Sequence, residues 1–100
     1  MLWTISCVDK PNTAAARAAV VETHRDYLQS QKCILVLAGA TQTDDGTAAI
    51  GSLFVVNVNS RAEAKAFSDG DPFTQAGIFA SVTITRMRKG QWNPEVAEGA

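Results

Sequence analysis

Few residues in this chain could bind a metal or carry redox chemistry. There is one histidine, His24, and there are two cysteines, Cys7 and Cys33, without C-x-x-C spacing. A zinc site of the usual kind needs several such ligands, so no metal is expected, and nothing implies a cofactor. Charge of one sign is also scarce. A net charge of −1 gives no electrostatic basis for holding nucleic acid or an anionic membrane. Arg86, Arg88 and Lys89 cluster near the C-terminus but read as a solvated strand end. No apolar run approaches the ~20 residues of a membrane-spanning helix. The opening MLWTISCVDK lacks a basic segment ahead of an apolar core, so no signal peptide is expected. These absences point to a reducing cytoplasm, with both thiols free and packed inside.

What remains is an ordinary globular composition, 46% hydrophobic and 19% charged. One hundred residues make one domain, with a small core that is either marginal or completed by a partner chain. Leu2 to Val8 reads as a strand stopped by Asp9-Lys10-Pro11-Asn12. Asn12 or Thr13 is placed to cap a helix over Thr13 to Gln31. Ala14, Val21 and Leu28 recur every seven residues, with Ala18 and Val20 filling the stripe. Arg17, His24 and Gln31 run beside it, which predicts a place near the edge of the buried face. Cys33 to Ala40 is apolar throughout and predicts a strand covered on two faces. TQTDDGT is a hairpin loop with Asp45-Gly46 at its turn. In the returning strand, Ile50, Ser52, Phe54, Val56 and Val58 alternate with Gly51, Leu53, Val55 and Asn57.

Ser60 and Glu63 form a capping box that opens a second, short helix ending near Phe67 and Ser68. The last strand alternates Ile78, Ala80, Val82 and Ile84 with Phe79, Ser81, Thr83 and Thr85. The domain spans 1–90, and 91–100 is a polar tail apart from Trp92, extended or mobile. The order is βαββαβ, an α+β ferredoxin-like arrangement with a four-stranded antiparallel sheet. Two helices cover one face of such a sheet. The apolar residues on the other face predict a second copy of the chain packed sheet to sheet.

His24 is the only imidazole, and any general base would first be sought there. The plainer reading is a polar residue on a helix shoulder. Asp71 also has a plain reading. Gly70 suits the C′ position of the second helix, Asp71 the N-cap of a following turn, and Pro72 its first helical position. Asp69 reads as an exposed helix end. Ser52 sits among bulky apolar residues on its strand face, either donating to a neighbouring group or leaving room. Gly39 and Gly51 mark bulges or close approach to a ligand. Trp3, Phe54 and Phe79 read as core. No nucleophile elbow, phosphate loop or dinucleotide fingerprint is present.

From Met1 to Lys89 the chain resembles the YciI-like family. The resemblance rests on DKPNT after the first strand, Arg17 and His24 at their spacing, LAGA, the Gly51-Ser52 pair and DPFTQAGIF. It implies a dimeric α+β barrel and a pocket in which His24 lies beside Asp71, with Ser52 and Arg17 as substrate-binding neighbours. The chain departs from the family at Ala40, where a proline is usual, and in its short hairpin loop. The implied function is proton transfer by a His24–Asp71 dyad on a small cyclic or aromatic-derived molecule, by elimination, isomerisation or hydrolysis. The alternatives are a non-catalytic ligand-binding module and a cofactor-free oxygenase of the same barrel type.

Overall fold

β1 (Leu2–Asp9) turns Trp3, Ile5 and Cys7 inward, the period of two that a strand imposes on a half-covered sheet. The computed structural model describes Met1–Ala100. After β1 come α1 (Ala14–Ser30), β2 (Leu35–Gln42), β3 (Ala49–Asn57), α2 (Arg61–Gly70), the single turn α3 (Pro72–Gln75) and β4 (Phe79–Met87). The strands form one antiparallel sheet in the order β2-β3-β1-β4. With α3 as an appendage of α2, this is the βαββαβ ferredoxin-like fold. The core lies between the helices and one sheet face, around Ile5, Phe54, Val56, Ala64 and Phe67.

The buried face of α1 differs from the expected stripe. Ala14 and Ala18 are exposed, and Arg17, Val20, Val21, His24, Tyr27 and Leu28 face inward. Their spacing of three and four is the helical period. The alanines had drawn the expected stripe to one side, whereas the true stripe runs through two polar residues at its centre. Asn12 takes a left-handed φ of 62°. Thr13 occupies the N-cap position without capping; its hydroxyl donates to the Lys10 carbonyl at 2.8 Å.

Other boundaries shift for local reasons. β2 starts at Leu35, so Cys33 falls in a turn and is exposed, not packed inside; Cys7 is buried as expected. The hairpin loop turns at Gly46, φ 73°, and is tied by Asp45, which accepts from the Thr43 and Thr47 hydroxyls and the Thr47 amide. The capping box forms, with Glu63 N–H on Ser60 Oγ at 3.2 Å. Its returning carboxylate accepts from the Asn59 amide at 2.7 Å instead of the Ser60 amide. α2 runs on to Gly70, which is its last helical residue and not a left-handed C′. A side chain there would meet the Tyr27 hydroxyl at 2.6 Å. Asp69 pairs with Lys65 one turn back.

β4 carries a bulge. Cys7 pairs with Val82 but Asp9 pairs with Phe79, so Phe79 joins Val82 and Ile84 on the helix side instead of opposing them. The tail contains a 3₁₀ helix, Pro94–Ala97, in place of extended chain. On the sheet face away from the helices, Val8, Leu37, Leu53 and Met87 stay exposed.

Gly51 allows β1 and β3 to approach; a Cβ there would lie 2.2 Å from the Cys7 carbonyl oxygen, whereas one at Gly39 meets nothing within 4 Å. Gly51→Ala is therefore expected to destabilise by about 3 kcal/mol, the upper range for overpacking against backbone. Gly39→Ala should stay within about 0.5 kcal/mol of the parent. Urea denaturation of both variants checks the contrast.

Candidate active site

One end of the sheet gathers four pieces of chain that are far apart in sequence. The end of β1 supplies Asp9, and the start of β3 supplies Gly51 and Ser52. α1 lays Arg17 and His24 across them, two turns apart on its inward face. The α2–α3 junction supplies Asp71 and Phe73. Pro72 at the first position of α3 fixes this junction, and Asp71 caps it by accepting the Phe73 amide at 2.9 Å.

His24 and Asp71 meet. Nδ1 lies 2.7 Å from Asp71 Oδ1, with His24 only 8% exposed and Asp71 1%. Oδ1 already accepts the Phe73 amide, so it acts as an acceptor and the Nδ1 hydrogen donates to it. In the neutral ring this leaves the lone pair on Nε2. Nε2 makes no hydrogen bond within the chain and is not sealed from solvent. The ring stacks on Phe73, with centroids 3.8 Å apart and planes 9° from parallel, and Phe54 lies tilted at 6.2 Å. A single Asp71 oxygen thus serves both the cap and the imidazole. Oδ2 is buried without a partner.

Arg17 forms a second knot beside the first. Its Nε donates to Asp9 Oδ2 at 2.7 Å, and its Nη2 donates to the Gly51 carbonyl at 2.6 Å and Ser52 Oγ at 2.7 Å. Ser52 is buried and accepts from Arg17. The guanidinium carbon sits 4.6 Å from the Phe73 ring centroid. The residues expected at the site therefore lie in one contiguous group. Asp9 and Phe73 belong to it and were missed. Asp9 had a readable signal, since Trp3, Ile5, Cys7 and Asp9 share the inward parity of β1. An acid in that register needs a cation, and Arg17 is the first arginine on the following helix.

Burial, then the carboxylates of Asp71 and Asp9, push the Cys7 thiol from its ordinary 9.0 up to about 12, against the lowering pull of Arg17. Burial and Asp71 also raise Tyr27, whose hydroxyl donates to the Phe67 carbonyl at 2.8 Å. No three His, Cys, Asp or Glu side chains converge into a metal-ligating group. One depression, about 1050 Å³, lies on the far sheet face over Leu37, Val55, Met87 and Trp92. A second, about 280 Å³, opens between α2 and β4. Neither touches His24.

Residues 1–88 match the model of the YCII-related domain. The chain belongs to this YciI-like family. It is 30% identical to protein YciI of Escherichia coli over 96 residues, covering 89% of this chain and 98% of that protein. Among solved structures it is similar to 5-chloro-2-hydroxyhydroquinone dehydrochlorinase (TftG) from Burkholderia phenoliruptrix, in complex with 2,5-dihydroxybenzoquinone. The TM-score is 0.83 and the identity 30%, over 90% of this chain and 96% of that one. An antibiotic biosynthesis monooxygenase matches at TM-score 0.50 and 15% identity, over 88% of this chain and 97% of that one, a likeness of fold alone. No helix of this YciI-like chain is long and apolar enough to cross a membrane.

Cys33 is exposed and Cys7 is buried with its thiol protonated, so iodoacetamide should label one thiol per native chain and two in denaturant. The Cys7 pKa is raised on folding, so the folded state holds this proton more tightly. Its contribution to stability is complete below about pH 9 and is lost as pH rises toward about 12. Mass spectrometry counts the labels, and denaturation of the parent and Cys7→Ala across that window isolates the alkaline loss.

Proposed function

We propose that this protein is a small acid–base enzyme in which His24 Nε2 moves a proton on a cyclic or aromatic-derived molecule. The observation that carries this reading is the contact between His24 Nδ1 and Asp71 Oδ1 at 2.7 Å, which leaves Nε2 as the unbonded, solvent-reachable nitrogen. Asp71 holds the tautomer and stabilises the imidazolium formed when Nε2 accepts a proton. Phe73 fixes the plane of the ring. In an elimination, Nε2 takes a proton from carbon or oxygen. The released electron pair forms the new double bond, the leaving group departs with its own pair, and the imidazolium returns its proton to water. In an isomerisation it returns the proton to a different carbon. Dehydrochlorination is the elimination to test first, because the TftG structure matches nearly all of the chain.

One observation favours a second reading, a ligand-binding module. The imidazole is largely covered, at 8% exposure. In that reading the His24–Asp71 bond fastens α1 to the α2–α3 junction. The oxygenase alternative draws on shared fold alone. For assembly, the exposed Val8, Leu37, Leu53 and Met87 support a homodimer joined through the free sheet face.

Chloride release from chlorinated hydroxyquinols, with and without oxygen, tests the chemistry. His24→Asn should lower kcat/KM by roughly 10²–10⁴-fold, and Asp71→Asn by a similar factor. Equal turnover in His24→Asn would sink the dyad, and ligand binding without turnover would leave the module reading ahead. A second test concerns assembly. Light scattering should give the mass of two chains for the parent and of one chain for Leu37→Glu/Leu53→Glu.

A further inference from the structure

Arg61, Lys65 and Ser68 follow one another on α2 at intervals of four and three, the spacing that puts side chains on one face of a helix. That face looks onto β4, an outer strand of the sheet. With Thr74 of α3 and Val82 and Ile84 of β4, these residues line the cavity of about 280 Å³. None of them belongs to the His24–Asp71 pair or to the Arg17 knot.

Two hydroxyls here have no partner. Ser68 is only 5% exposed, and its Oγ makes no hydrogen bond within the chain, although solvent still reaches it. Thr74 Oγ1 is fully covered and equally unanswered. Folded proteins leave few covered polar groups in this state, because losing water without gaining a bond is costly. Two of them at one cavity call for an occupant rich in acceptors.

Cations stand over the same space. Arg61 is steadied by the Ile84 carbonyl, which accepts from Nη1 at 2.8 Å, and by the Trp3 ring, whose centroid lies 5.5 Å from Cζ. Its Nε and Nη2 have no acceptor within the chain. Lys65 is answered by Asp69 Oδ2 at 2.6 Å, whereas Arg61 has no carboxylate, so the lining carries an unbalanced positive charge. Guanidinium, ammonium and hydroxyl groups can all donate to an anion. Donors that arrive from two helices match the spread oxygens of a tetrahedral oxyanion better than a planar carboxylate. The β4 wall, Val82 and Ile84, is apolar.

We propose that this cavity binds a phosphate group, either free or as the monoester of a small organic molecule. The Nε–Nη2 edge of Arg61 and the Lys65 ammonium receive the charge. Ser68 Oγ donates to one oxygen, and Thr74 Oγ1 reaches another by rotation about χ1. The carbon of a monoester rests on Val82 and Ile84. The site is independent of the acid–base reading.

NMR of the labelled full chain in phosphate-free buffer tests this. It is titrated with inorganic phosphate and, separately, with phenyl phosphate, each against sodium chloride of equal ionic strength. Amide shifts should saturate with phosphate and centre on Ser68, Thr74 and Val82, while chloride gives no saturation. Tighter binding of phenyl phosphate assigns the site to monoesters, and equal or weaker binding assigns it to free phosphate. Arg61→Gln should weaken phosphate roughly 10- to 100-fold, the range of a charge-assisted hydrogen bond, and Ser68→Ala roughly 2- to 10-fold. His24→Asn should bind phosphate as the parent does. No saturation in the parent, a chloride response equal to that of phosphate, shifts centred on Arg17 or on Arg86 to Lys89, or unchanged affinity in either variant of the cavity would each overturn the proposal.

Discussion

Asp71 Oδ1 accepts the Phe73 amide at 2.9 Å and the His24 imidazole at 2.7 Å, from a residue that is 1% exposed. Through the amide it caps α3 and sets the angle at which Phe73 enters the core. Through the imidazole it fastens α1 to the α2–α3 junction. Phe73, placed by the cap, stacks on the imidazole held by the same oxygen. Cap, ring plane and tautomer thus depend on one atom. If that oxygen moves, all three change together. A carboxylate this buried needs such partners, because an unanswered charge in the interior costs several kcal/mol.

The Arg17 knot solves a related problem at the neighbouring strand ends. Asp9 and Arg17 are both largely covered, and each answers the other's charge. The two hydrogens of Nη2 go to the Gly51 carbonyl and to Ser52, so the strand edge beside Gly51 is tied to the helix above it. Two polar clusters therefore occupy what would otherwise be an apolar helix–sheet interface, and they are joined through the faces of Phe73. Such clusters add geometric definition more than net stability, which suits a surface that must hold side chains at fixed positions.

Much of this was legible from the sequence because it is local. The Ser60–Glu63 box, the cap at Asp71 with Pro72 behind it, the Asp45-Gly46 turn and the alternation of β3 each depend on residues a few positions apart, and each forms. The order of elements, and with it the ferredoxin-like fold, follows from those pieces. What did not read out depends on distant pairings. Arg17 and His24 looked like shoulder residues because their partners lie on other elements, and a polar residue is buried only when its partner is known. Cys33 belonged to an apolar run, but the run begins in a turn at the sheet edge. The bulge in β4 reversed the side on which Phe79 lies, and strand alternation carries no sign of a bulge until the register with β1 is fixed. The pairing of His24 with Asp71 came from family resemblance, since the spacing of two residues in sequence says nothing of their distance in the fold.

The strand order has a consequence for how the chain is made. β1 precedes the other strands in sequence, yet it sits inside the sheet between β3 and β4. It finds its first neighbour only after the hairpin has been built and its second only when β4 has been made. Until then its apolar residues have one helix for cover. The sheet closes late, through contacts between opposite ends of the sequence, which is the topology that slows folding and leaves apolar strands open to other chains.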